Sequence, residues 1–243
     1  MSTRKDWLYV SMVLLLGASR MAAQDAGNSH VFPQIVDGRQ ADGYYYTSLL
    51  WITDVGATAT CTLSLFGLDE DRVHPSTTIT VPGNGWAVVS TDGQRPLAAG
   101  YARLDCSQPV TASLTYSLFA PAGARVGMAT VFPALLVARA VHPLLLDGNL
   151  RYGVAIANDA DAPASIFLEY DDLPPGNRTD IKMIQIPPHS RYTGFVDEIL
   201  TLPAQGSGQF EITALGVGAS GFRPTVLLFD HQVFTTLVPA TVR

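Results

Sequence analysis

The chain has 243 residues, 47% of them apolar and 15% charged, with a net charge of −6 at pH 7. The charged fraction lies well under the ~25% of an average domain, and only two of the 15 basic residues, Lys5 and Lys182, are lysines. No basic cluster follows the N-terminal segment, which excludes a nucleic-acid footprint, and 21 Gly with 16 Pro are too few for a low-complexity chain.

Arg4 and Lys5 precede the apolar run WLYVSMVLLLG, Trp7 to Gly17, and small residues follow around Ala22-Ala23. A basic start, a short apolar stretch and a small-residue exit predict a cleaved secretory signal peptide over residues 1–23. The run is shorter than the ~20 apolar residues of a membrane span. Its removal takes Arg4, Lys5, Arg20 and Asp6, which leaves a net charge of −8. No second long apolar run follows, so the sequence predicts a protein secreted to the extracellular or periplasmic space, without membrane insertion after cleavage.

Beyond residue 27 the elements read as strands. YYYTSLLWI, TATCTLSLF, TTITV, GWAVVST, AAGYARLDC and VTASLTYSLF are short, rich in β-branched and aromatic residues, and separated by Gly, Pro, Asn or Asp. RYGVAIAN, ASIFLEY, IKMIQI, RYTGFVD, GQFEITAL and TVLLFD follow in the same order. Ile166, Leu168 and Tyr170 should share one face and Ser165, Phe167 and Glu169 the other. Helical spacing is scarce, and a single turn is expected around Val196–Leu200.

The two sets are in register. FPQIVDG, Phe32 to Gly38, recurs as HPLLLDG, His142 to Gly148, with Pro33, Asp37 and Gly38 each 110 positions before their counterparts. ITVP and IQIP, GYARL and GQFEI, LTYSLF and TVLLFD, and TVFPA and TLVPA keep the same order at offsets from 105 to 110. Ordered landmarks at a nearly constant offset predict a tandem duplication. Six or seven strands in each unit predict an all-β chain of two immunoglobulin-like β-sandwich modules, 28–138 and 139–243. The apolar join ALLVARAVHP, without Gly or Ser, predicts close docking. Asp37-Gly38 and Asp147-Gly148 both read as turns.

FPQIVDG, followed by YTSLLWITDVGATATCTLSLFG and GYARLDCSQPVTASLTYSLF, resembles a group of secreted bacterial proteins whose tandem modules open with FPQIADG. The resemblance spans most of residues 30–243 and is clearer in the first unit, since HPLLLDG departs from the pattern. It implies an all-β extracellular or surface-associated protein and carries over no site residues.

Chemistry-bearing patterns are few. Cys61 and Cys106 fit a disulfide after secretion, with two buried thiols as the alternative. His30, His74, His142, His189 and His231 show no zinc spacing and no HExxH. GASG, Gly218 to Gly221, lacks the form and context of a nucleophile elbow. Asp69-Glu70-Asp71 and Asp171-Asp172 lack the spacing of a calcium loop and read as solvated turns. Asn177 opens an NRT glycosylation sequon. No catalytic, cofactor or metal site is therefore expected. Tyr44, Tyr45, Tyr46 and Trp86 are the candidate ligand-stacking aromatics. Consecutive tyrosines alternate faces, so at least one should point outwards, whereas Trp51 and Trp86 read more readily as core. The composite expectation is a secreted non-enzymatic structural, adhesive or protein-interaction component. A carbohydrate-binding module pair is the alternative, and the partner is a protein or polysaccharide at the cell surface.

Overall fold

The computed structural model describes residues 26–54, 56–67, 76–172, 178–215, 221–231, 233–237, 239 and 241–242. The signal-peptide segment, Asp69-Glu70-Asp71, His74, Asn177 and most of GASG lie outside them. The first half contains β1 (Gly27–Arg39), β2 (Tyr45–Thr53), β3 (Ala59–Phe66), β4 (Ser76–Val81), β5 (Trp86–Ser90), β6 (Ala98–Phe119) and β7 (Arg125–Val131). The second contains β8 (Arg139–Leu146), β9 (Leu150–Asn158), β10 (Ala164–Asp172), β11 (Arg178–Ile186), β12 (Ser190–Phe195), α1 (Val196–Ile199), β13 (Gly206–Ala214), β14 (Arg223–Asp230), β15 (Val233–Leu237) and β16 (Thr241–Val242). Among the described residues the chain is all-β apart from α1, a single turn at the place expected.

Strand pairing follows one plan twice. In the first half β4-β3-β6-β1 form one sheet, and β5-β2-β6-β7 form the other. In the second half the orders are β11-β10-β13-β8-β16 and β12-β9-β14-β15. Immunoglobulin sheets run ABED and CFG. Here β1 pairs with β6 and β8 with β13, so the sandwich has its own strand order. Alternation assigns the faces: Ile166, Leu168 and Tyr170 are fully buried while Ser165 and Phe167 are half-buried.

β6 departs from the sequence reading, which separates it into two strands. It runs unbroken for 22 residues. Tyr101–Cys106 pair with β3, and Thr111–Phe119 pair with β2, so one strand crosses from sheet to sheet. Ser107, Gln108 and Pro109 are exposed at the crossing. Proline lacks an N–H for the ladder, and there it interrupts none. Thr60 N–H instead donates to Ser107 Oγ at 3.0 Å. In the second half the same two roles fall to the separate β13 and β14.

Each pair of sheets encloses a core. Phe32, Ile52, Leu104, Leu114 and Val131 belong to the first, and Ile156, Ile166, Leu168, Phe210 and Val226 to the second. The cores touch. Leu227 and Phe234 of the second half are buried in the first core, where Phe234 stacks on Tyr116 at 5.3 Å. Phe66 stacks on Tyr101 at 4.5 Å and on His189 at 5.9 Å, and Arg191 donates to Gln34 Oε1 at 2.8 Å. The join is held from both sides: Ala134 N–H donates to Val31 O at 2.8 Å, and Val137 exchanges hydrogen bonds with Phe222.

Candidate functional site

Alternation along β2 decides what the surface displays. Leu50 and Ile52 are buried, so Trp51 between them faces out with 42% of its surface exposed. Trp86 is 63% exposed and sits opposite Thr53, diagonal to Trp51, with the indole centroids 5.7 Å apart at 48°. The reading of Trp51 and Trp86 as core residues is thus corrected. Phe32, Tyr101 and Tyr116 fill the interior instead. The signal was present in the sequence, since LLWIT already alternates.

The three tyrosines divide as the pleat requires. Tyr44 and Tyr46 pack against the first core. Tyr45 turns to the outer face, stacked on Phe119 at 5.0 Å and 9°, with the Arg39 guanidinium 4.6 Å from its ring centre. Tyr45 and Trp51 therefore share one face of β2, six residues or ~20 Å apart. Between them lie Thr47 and Leu49, paired across to Ser117 and Thr115 of β6. Ser117 is buried, so the outer face carries aromatic rings with Thr47, Leu49 and Thr115 between them.

Tyr44 and Tyr46 have a second role at the junction of the halves. Together with Phe195, Phe229 and Phe234 they line a cleft of about 280 Å³. Gln40, Asp42 and His231 supply its polar groups. Two turns build it. Gln40 N–H donates to Tyr44 O at 2.7 Å, Gly43 N–H to Gln40 O at 3.1 Å, and Tyr44 N–H to Asp42 Oδ1 at 3.2 Å. On the other side His231, at φ +56°, turns the β14–β15 hairpin, and its Nδ1 lies 2.9 Å from Asp230 Oδ1. Ring contacts continue from Tyr46 through Tyr116, Phe234 and Phe229 to Phe195. The Arg151 guanidinium carbon lies 3.8 Å from the Phe195 ring centre. Burial, and secondarily Asp42, pushes the Tyr46 phenol upward, so it stays a neutral donor. The cleft is invisible to sequence reading, because Asp42 and Phe234 are brought together only by docking.

Other candidates resolve into structure. Cys61 and Cys106 form a disulfide between directly paired residues of β3 and β6. Such a bond suits an oxidising, extracellular or periplasmic compartment. Among the described residues no helix is long and apolar enough to cross a membrane, and no group of three or more His, Cys, Asp or Glu could hold a metal ion. Tyr170 donates to Asp172 Oδ1 at 2.9 Å, and His189 pairs with Asp161 at 2.8 Å. His30 contacts Gly27 O and Val110 O through Nε2, and burial lowers its pKa. His142 is 1% exposed with neither ring nitrogen partnered, and burial lowers its pKa to about 4.

No protein-family model matches the chain, and no curated protein matches it. Among solved structures, Bacteroides uniformis beta-glucuronidase 2 covalently bound to cyclophellitol-6-carboxylate aziridine is similar at 9% identity and a TM-score of 0.19. The match covers 84% of this chain and 25% of that one. The chain thus spans about a quarter of that enzyme's length, and the likeness carries no argument about function.

Proposed function

We propose that this is a secreted, non-catalytic binding protein of two duplicated sandwich modules, which lays the outer face of the β5-β2-β6 sheet along an extended polysaccharide. The observation that carries the reading is the exposed Trp51–Trp86 pair on the same face as Tyr45, with the threonines Thr47 and Thr115 between them. Aromatic faces cover the apolar faces of sugar rings, and neighbouring hydroxyls exchange hydrogen bonds with the ring substituents. The ~20 Å run of β2 presents these groups along one line, as a chain ligand needs. Two strand orders of the same plan support the duplication, and the disulfide supports the compartment.

The test is retention of the secreted protein on a panel of insoluble and soluble polysaccharides. Replacing Trp51 and Trp86 together by Ala should weaken retention by roughly tenfold or more, the loss typical of central aromatic contacts, with an unchanged circular dichroism spectrum. Equal retention of the double variant would sink the assignment.

A second reading, assembly by strand addition, is favoured by β11. Among the described residues this nine-residue strand ends its sheet, and it exposes Ile181 and Met183. An unpaired edge of this kind templates a partner strand. Absence of retention on every polymer, with self-association abolished by Met183→Lys, would select it.

A further inference from the structure

We infer that the cleft between the halves is a second site, independent of the outer face, and that its ligand is a compact organic cation of the alkylammonium class. The cleft measures about 280 Å³, just under the ~300–1,000 Å³ of sites for drug-sized ligands, so it fits a single compact group. Its walls are the rings of Tyr44, Tyr46, Phe195, Phe229 and Phe234. Ring faces carry negative quadrupolar potential and attract cations, most strongly where water is excluded. Arg151 shows this on the molecule itself, with its guanidinium over Phe195.

The polar groups agree in sign. Asp42 is the carboxylate of the lining, and neither lysine nor arginine contributes to it. Only Oδ1 of Asp42 is engaged by the Tyr44 N–H, which aligns the carboxylate at the turn. His231 Nδ1 is held 2.9 Å from Asp230 Oδ1, which places a second carboxylate beside the hairpin turn. Gln40 is the remaining polar residue of the lining. A cation therefore meets aromatic rings and a carboxylate. An uncharged group of equal size gains only the apolar contact. Because Asp42, Tyr44 and Tyr46 come from the first half and the three phenylalanines from the second, the bound cation bridges the two.

The experiment is calorimetric titration of the intact secreted protein with choline, with tetramethylammonium, and with 3,3-dimethylbutan-1-ol, the uncharged isostere of choline. Both cations should bind, with the alcohol roughly tenfold or more weaker, the ratio that ~1.4 kcal/mol of charge-dependent attraction produces. Asp42→Asn retains the turn's hydrogen-bond acceptor while removing the charge, and should weaken choline several-fold without moving the melting temperature of the free protein. Tyr44→Leu keeps an apolar wall without a ring and should weaken it comparably. Equal binding of choline and the alcohol, no heat from either cation, or an Asp42→Asn variant that binds choline like the parent would each overturn the inference. Polysaccharide retention measured on the same variants should stay unchanged, so failure here leaves the outer-face reading untouched, and the reverse holds.

Discussion

The two halves write Asp-Gly at the same place and use it differently. Asp147 is an exposed turn residue, its Oδ1 accepting from Asn149 N–H at 2.9 Å and Leu150 N–H at 3.0 Å, and those bonds lower its pKa. Gly148, at φ +83°, has open space around its Cα. Asp37 instead lies buried inside β1, and its Oδ1 accepts from Gly93 N–H at 3.0 Å. Gly38, at φ +106°, is pressed by the 95–96 backbone, so that a Cβ there would lie 2.4 Å from Pro96 O. The expected turn at Asp37-Gly38 is therefore corrected: β1 continues to Arg39, and the reversal comes at Gln40–Gly43. A local motif sets a conformation, and the neighbours decide whether it becomes a turn or a close contact.

The largest test of that contrast is a matched pair of glycine substitutions. Gly38→Ala should cost more than ~4 kcal/mol, because backbone must move and the left-handed φ is strained. Gly148→Ala should cost about 1–2 kcal/mol from φ alone. Urea unfolding of both variants measures the difference, and equal losses would break the comparison.

Next comes the disulfide, which only the first half possesses. Across β10 and β13 the counterpart positions hold Ile166 opposite Ala214, a pair of apolar side chains. Replacing Cys61 and Cys106 by Ala should destabilise by about 2–4 kcal/mol, the range for a loop of this length. Hydrogen exchange should show the loss concentrated in β3 and β6, with the β10–β13 amides less affected.

The smallest effect at neutral pH concerns the position shared by Phe32 and His142. Phe32 is buried in the first core, whereas His142 is buried opposite Phe210 without partners for its ring nitrogens. Its folded pKa of about 4 lies below the ordinary ~6.5, so the unfolded chain takes up its proton first as pH falls. Its share of stability is thus full above pH ~6.5 and declines down to pH ~4, by up to about 3 kcal/mol. His142→Phe should remove that part of the acid sensitivity and add about 1 kcal/mol at neutral pH by eliminating unpaired polar atoms. An unchanged slope of stability against pH in this window would refute the assignment.

Most strands were legible because alternation and turn residues are local signals. Ser107-Gln108-Pro109 misled the division of β6, since a proline reads as a break while the strand tolerates it at an exposed crossing. Trp51 and Trp86 were misread because large aromatics usually fill cores, although Leu50 and Ile52 already claimed the inner face of β2. Of the candidate aromatics, the outward turn of one tyrosine was legible from the pleat, and its identity as Tyr45 was not.

By itself the sequence determined the all-β class, the ordered recurrence of its landmarks, the place of the helical turn and the two cysteines free to pair. These follow from period-two geometry and turn chemistry within a few residues of chain. Only the tertiary structure decided that β6 serves both sheets, that Phe234 completes the first core, and that Asp42 and Tyr44 face Phe195 and Phe229 across a cleft. Those outcomes depend on which surfaces meet after the strands have formed, and contacts between residues more than a hundred positions apart leave no local pattern to read.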